Sequence, residues 1–205
     1  IITMDDAMEV LGDEADKDIK LLGGVGDESL TDTILATTRQ RFPWLGFNLI
    51  TSVLASIVIA QFSATIEAIV ALAVLMPIVA SMGGNAGTQT LTVAVRALAT
   101  KDLTSANAWC VIRREALVGF LNGLIFAAII GCIGYYWYGL PMLGVVLALA
   151  MVINLMMAGL AGILVPLVLD QFNLDPALGS SALVTTVTDV VGFLAFLGFA
   201  AAILF

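Results

Sequence analysis

Five long apolar stretches, each closed by a charge, a proline or a polar loop, dominate the pattern of this chain. They run at about 45–66, 68–99, 116–138, 142–169 and 177–205, with breaks at Glu67, 101–115, 139–141 and 170–176. A helix of about 20 apolar residues crosses a hydrocarbon core of about 30 Å, so each stretch is long enough to span. Before residue 33 the pattern is that of a solvated helix. Met8, Leu11, Ala15, Ile19 and Leu22 form an apolar edge at heptad-like spacing, and Asp6, Glu9, Asp13 and Asp16 line another face.

The second stretch departs from the rest. As one helix it would run roughly 48 Å, longer than a membrane needs. Pro77 and the pair Gly83 and Gly84 are expected to interrupt it, and its second half is polar, reading GGNAGTQT over 83–90. Broken backbone at membrane depth is tolerated where it lines water or protein. The expectation is a pore-side helix continuing into the cytoplasm and ending near Arg96 and Lys101, where cations suit the helix dipole.

Composition agrees with the pattern. Hydrophobic residues make up 60% of the chain and the mean hydropathy is +1.07, which excludes an ordinary soluble domain. The net charge of −8 is local: residues 1–32 hold ten acids against Lys17 and Lys20, and the remainder holds six acids and six bases. A basic nucleic-acid-binding surface is excluded. Histidine is absent, and Cys110 and Cys132 lack metal-ligand spacing. No secretory leader is legible, and a start on Ile1 rather than Met reads as part of something longer. Basic residues set the orientation. With the N-terminus cytoplasmic and the C-terminus outside, all eight Lys and Arg lie on the inner side and the outer loops carry none.

The chemistry concentrates on Asp189, roughly 20 Å by helix rise beyond the start of the last stretch and therefore near mid-membrane. A carboxylate there costs on the order of 3 kcal/mol or more and usually faces an ion or proton pathway. Ser181, Thr185, Asp189 and Gly192 stack on one helix face, as do Asn85, Thr88, Gln89 and Thr92 on the second helix. Oxygen donors without sulfur or imidazole suit hard cations such as Mg²⁺, Ca²⁺ or Mn²⁺. One carboxylate per chain suffices for a hydrated ion if a twin faces it across a two-fold axis. The competing reading makes Asp189 a structural group satisfied by a neighbouring Thr or Asn, and the hydroxyls back-bonded packing residues.

Gly119, Gly123, Ala127 and Gly131 recur every fourth residue, and Ala158 and Gly162 are similarly spaced, so these faces serve either a subunit interface or packing within one chain. Asn122 and Asn154 read as interhelical hydrogen-bond formers, and Glu67 as an outer-turn charge. In the acidic segment the i,i+4 spacing would let Lys17 pair with Asp13, and Lys20 with Asp16. The surplus carboxylates leave open a solvated helix or a divalent-ion sensor.

The run 76–90, continuing through Arg96 to Thr100, closely resembles the signature of the MgtE family of magnesium channels. Residues 175–178 and 184–192, ending on Asp189, Val190, Val191 and Gly192, resemble that family's last membrane helix. The stretch 14–19 looks like its connecting, or plug, helix, and 1–6 the end of a CBS domain. The resemblance covers essentially the whole chain. It implies an all-α membrane protein of the inner or plasma membrane, a homodimer with five transmembrane helices per subunit and a pore at the two-fold axis. Residues 1–32 would be the CBS end and plug helix, and 33–205 the channel domain. It further implies a hydrated Mg²⁺ held by Asp189, with the Thr185 carbonyl and the Asn85 side chain near it. Candidate cytosolic sensor ligands for regulatory Mg²⁺ are Asp6, Glu9, Glu14, Asp18 and Asp175, while Lys17 stands where the family usually has an acid.

Three rivals remain open on the residues alone. A secondary transporter would couple the cation to H⁺ or Na⁺ by alternating access, although no inverted repeat is legible. An intramembrane enzyme would want a second acid or a nucleophile with a base. A structural anchor would not need polar stripes on two helices.

Overall fold

The computed structural model describes Lys17, residues 19–25, Ser29, 31–104, 106–177 and 179–205. Within them the regular structure is all helical: α1 (Ile34–Ala60), α2 (Ser63–Ala68), α3 (Ala71–Ala99), α4 (Ala108–Tyr138), α5 (Pro141–Gln171) and α6 (Ser180–Leu204). All but the six-residue α2 are long and apolar enough to cross a membrane. Four of the acidic sensor candidates, Asp6, Glu9, Glu14 and Asp18, lie outside the described residues.

The spans run longer toward their charged ends than hydropathy suggests. α1 begins at Ile34 and takes in Arg39 and Arg41, and α4 begins at Ala108 and takes in Arg113, Arg114 and Glu115. A hydropathy window excludes such residues, whereas the backbone bonds continue wherever water or headgroups solvate the side chains. The first apolar stretch also divides, because Gln61 and Phe62 turn before the short α2, which carries the exposed Glu67. The turn between α4 and α5 follows the sequence closely. Gly139 caps α4 with φ 64° and Pro141 opens α5, the positions at which glycine and proline suit helix ends.

The expected break in the second span is absent. α3 runs as one 29-residue helix through Pro77, Gly83 and Gly84. The glycines give up side-chain volume rather than helical backbone: a Cβ on Gly87 would stand 2.5 Å from Val184 Cγ1, and one on Gly83 would overlap the Asn154 amide. They are notches for neighbouring helices.

α5 is the hub, packed on α4, α3 and α6, with Leu143, Leu147, Met151, Asn154 and Leu155 buried along it. The small-residue row of α4 meets it within the chain. A Cβ on Gly119 would stand 2.6 Å from the Leu155 carbonyl oxygen, and one on Gly123 2.9 Å from Val152 Cα. Backbones so close gain dispersion contact, which drives helix association in lipid. α1 lies at the edge, with Ala55 its sole buried residue, and packs mainly on α6.

Candidate ion site

Asp189 stands nine residues into α6, about 14 Å along a helix of about 38 Å, and is half-buried. Among the described residues no group hydrogen bonds or pairs with its carboxylate. The Thr or Asn partner of the structural reading is therefore not found among the described residues. Ser181 and Thr185, on the same stripe, are also half-buried, whereas Gly192 is turned inward against Asn154.

The threonines around it satisfy themselves locally. Thr185 Oγ1 donates to the Ser181 and Ala182 carbonyls at 3.0 and 3.1 Å, Thr186 Oγ1 to Ala182 at 2.6 Å, and Thr188 Oγ1 to the Thr185 carbonyl at 2.9 Å. Such back-bonding lets a hydroxyl sit in an apolar helix without a distant partner. It also engages the Thr185 carbonyl, which can reach an ion only by exchanging the Thr188 hydroxyl for it.

α3 and α6 approach at Gly84, whose Cβ would lie 3.6 Å from Thr185 Cγ2, and at Gly87, beside Val184 and Thr188. Next to this contact, Ser81, Asn85, Gln89 and Thr92 form an exposed polar band on α3. Asn85 Nδ2 donates to Ser81 Oγ at 3.4 Å, and its amide oxygen has no partner among the described residues. The two stripes read from sequence thus border one another. Thr88 differs from its neighbours: it is half-buried and bonds back to the Gly84 carbonyl at 2.9 Å.

Above Thr185 the stripe opens into a cavity of about 140 Å³, lined also by Ser181, Asn48, Trp44 and the turn at Leu22 to Gly24. Trp44 lies between two left-handed glycines, Gly24 (φ 68°) and Gly179 (φ 63°), the latter immediately before α6. Any side chain at Gly179 would meet the Trp44 ring, with a Cβ 2.5 Å from Cζ3. Nothing in the hydropathy pattern marks Trp44, since a tryptophan near a membrane boundary is ordinary. Asp175, the sensor candidate that is described, caps the turn before α6 by accepting the Ala177 N–H at 2.9 Å.

Of the two asparagines, Asn154 does link helices, donating from Nδ2 to the Val79 carbonyl of α3 at 2.6 Å. Asn122 is exposed and forms no such bond. The residue that sequence reasoning missed is Glu115, which reads as the end of a polar break. Its place four residues before Gly119, on the small face of α4, is the signal that turns it inward. Thr90 Oγ1 lies 3.4 Å from its Oε2.

Five helices long and apolar enough to span, packed about the hub helix α5, define a multi-pass membrane protein. Residues 76–199 match the family model MgtE, described as a divalent cation transporter. The chain belongs to the MgtE family, and is a multi-pass protein of the cell membrane. It is 36% identical over 204 residues to the magnesium transporter MgtE of Thermus thermophilus, 98% of this chain and 45% of that protein. The proteins of the same name from Enterococcus faecalis and Bacillus subtilis are 34% and 31% identical over 201 and 203 residues. Those alignments also take in 98% of this chain, with 44% and 45% of the relatives. The chain therefore spans about half the length of the curated relatives it matches.

Proposed function

We propose that this chain is the membrane part of a Mg²⁺ channel, in which Asp189 grips a hydrated ion. The observation that carries the reading is the Asp189 carboxylate itself, half-buried and unpartnered among the described residues, beside the exposed polar band of α3. Leaving such groups toward lipid costs several kcal/mol, roughly, so a second copy and a water-filled axis are the economical surroundings for both. Two subunits facing across α3 and α6 place two Asp189 carboxylates and two Asn85 amides around one path. Mg²⁺ dehydrates reluctantly and is commonly held by one or two carboxylates through retained waters, which suits that sparse donor set. The N-terminus lies in the cytoplasm, with Arg96, Arg113 and Arg114 at the inner surface. Residues 1–32 form the CBS end and plug helix, and 33–205 the channel domain. In the longer protein Asp6, Glu9, Glu14, Asp18 and Asp175 hold regulatory Mg²⁺ and close the path when cytosolic Mg²⁺ is high.

The test is Mg²⁺ entry into liposomes, followed by an enclosed indicator dye. Asp189→Asn drops entry to the level of protein-free liposomes, and Asp189→Glu retains part of it. Unaltered entry through Asp189→Asn refutes the assigned site. Entry that requires an inward H⁺ or Na⁺ gradient replaces the channel with a secondary transporter.

A further inference from the structure

Glu115 is a half-buried carboxylate near the charged inner end of α4, and the path above does not use it. It lies seven residues into α4, about 10 Å along that helix, where three helices meet. A Cβ on Gly159 of α5 would stand 2.9 Å from the Glu115 carbonyl oxygen, and one on Gly162 2.7 Å from Thr90 Cβ. These two notches let α4 and α3 close on α5 side by side, which is what sets Thr90 beside Glu115. The resulting hydroxyl–carboxylate separation of 3.4 Å is long for an O–H···O bond, so the carboxylate is only weakly satisfied.

Glu115 and Thr90 line two cavities. The inner one, of about 80 Å³, runs between the helices and is edged by Gln89, Thr90 and Asn122 as well as Glu115. The outer one, of about 200 Å³, reaches the turn after α3 and includes Asp102 and Arg114. Arg114 forms no ion pair with Glu115 or Asp102 among the described residues. The half-buried charge is thus left to solvent and to the Thr90 hydroxyl, with the Gln89 and Asn122 side chains lining the same cavity. A carboxylate, neutral oxygen donors and space for water match what Mg²⁺ accepts, since it keeps several waters and binds directly to few protein groups. Gln89 also belongs to the exposed band of α3, so the inner cavity borders the proposed path while Glu115 and Asp189 stand on different helices.

We propose that Glu115, with Thr90, Gln89 and Asn122, forms a second position for a partly hydrated divalent cation, entered from the turn after α3. It goes beyond the Asp189 reading and does not depend on it.

Native Cys110, exposed five residues before Glu115, offers a local reporter. A nitroxide attached there, with Cys132→Ser, stands within roughly 15 Å of the cavity by helix geometry. In Asp189→Asn protein, Mn²⁺ added as the paramagnetic probe ion broadens the nitroxide spectrum, and Mg²⁺ reverses the effect. Glu115→Gln raises the Mn²⁺ concentration for half-broadening by roughly tenfold or more, and Glu115→Asp recovers part of the loss. Asn122→Leu, at an exposed position that packing does not need, weakens broadening by roughly threefold and covers the case in which Glu115→Gln fails to fold. Broadening that is absent at millimolar Mn²⁺, or unchanged in both Glu115→Gln and Asn122→Leu, overturns the proposal. The readout is binding in a protein already lacking the Asp189 charge, so failure here is separate from failure of the pore assignment.

Discussion

Asn154 shows how a membrane protein uses one polar side chain to fix a helix contact. It is fully buried, donates to the Val79 carbonyl at 2.6 Å, and wedges between Gly83 of α3 and Gly192 of α6. Its other amide atom, Oδ1, finds no partner among the described residues, so the position depends on fit as much as on the hydrogen bond. The two glycines are unequal. A Cβ at Gly83 would overlap the amide, whereas one at Gly192 would stand 3.0 Å from it. Gly83→Ala is therefore expected to destabilise by about 1–3 kcal/mol, as overpacking does, and Gly192→Ala by less. Thermal unfolding in detergent reads both, and Asn154→Ala added to Gly83→Ala restores part of the loss if the clash is the cause. Equal effects of the two alanines would contradict this account. Asn154 and Asp189 are legible in the sequence because a polar atom in an apolar run must be explained. Glu115 is not, because it adjoins Arg113 and Arg114 and so reads as the end of a loop. Asn122 meets the same criterion as Asn154 and is exposed, since periodicity within one helix does not say which neighbour it faces.

Among elements, α3 departs most from its sequence. Proline and paired glycines read as a break, yet the helix runs through them. Glycine lowers helix propensity by about 1 kcal/mol relative to alanine, a penalty that close packing against α5 and α6 offsets. The same residue type behaves oppositely where nothing packs on it. Gly123 of α4 lies against Val152 of α5, while Gly46 of α1 has no atom within 4 Å of a Cβ built there. Gly123→Ala is expected to lower the melting temperature and Gly46→Ala to raise it slightly, by roughly 0.5–1 kcal/mol of recovered propensity. Melting curves of the two variants beside the parent decide this, and a loss of stability in Gly46→Ala would imply a partner on that face of α1. Number and order of spans are legible from hydropathy. Their charged ends are not, because hydropathy reports where lipid begins rather than where backbone bonding stops.

For the whole molecule the informative surface is the one a single chain leaves uncovered. Exposed leucine, isoleucine and phenylalanine on α1 and α4 suit lipid, and Ile125 of α4 is 59% exposed in that setting. The band Ser81, Asn85, Gln89 and Thr92 on α3 does not suit it, because hydrocarbon cannot satisfy amides and hydroxyls. A two-fold axis passing that band, as the proposed function has it, brings each of these residues nearer to its own twin than any lipid-facing residue comes. With both native cysteines replaced by serine, Asn85→Cys should oxidise to a disulfide-linked dimer in native membranes, whereas Ile125→Cys should not. Non-reducing gels read the outcome, and added Mg²⁺ should change the yield for Asn85→Cys alone if the ion sits between the subunits. Equal cross-linking at the two positions would mean that collision, not an axis, joins them. No cross-linking at Asn85→Cys, together with monomers by mass photometry, would leave the polar band facing water within one chain and remove the paired Asp189 from the mechanism.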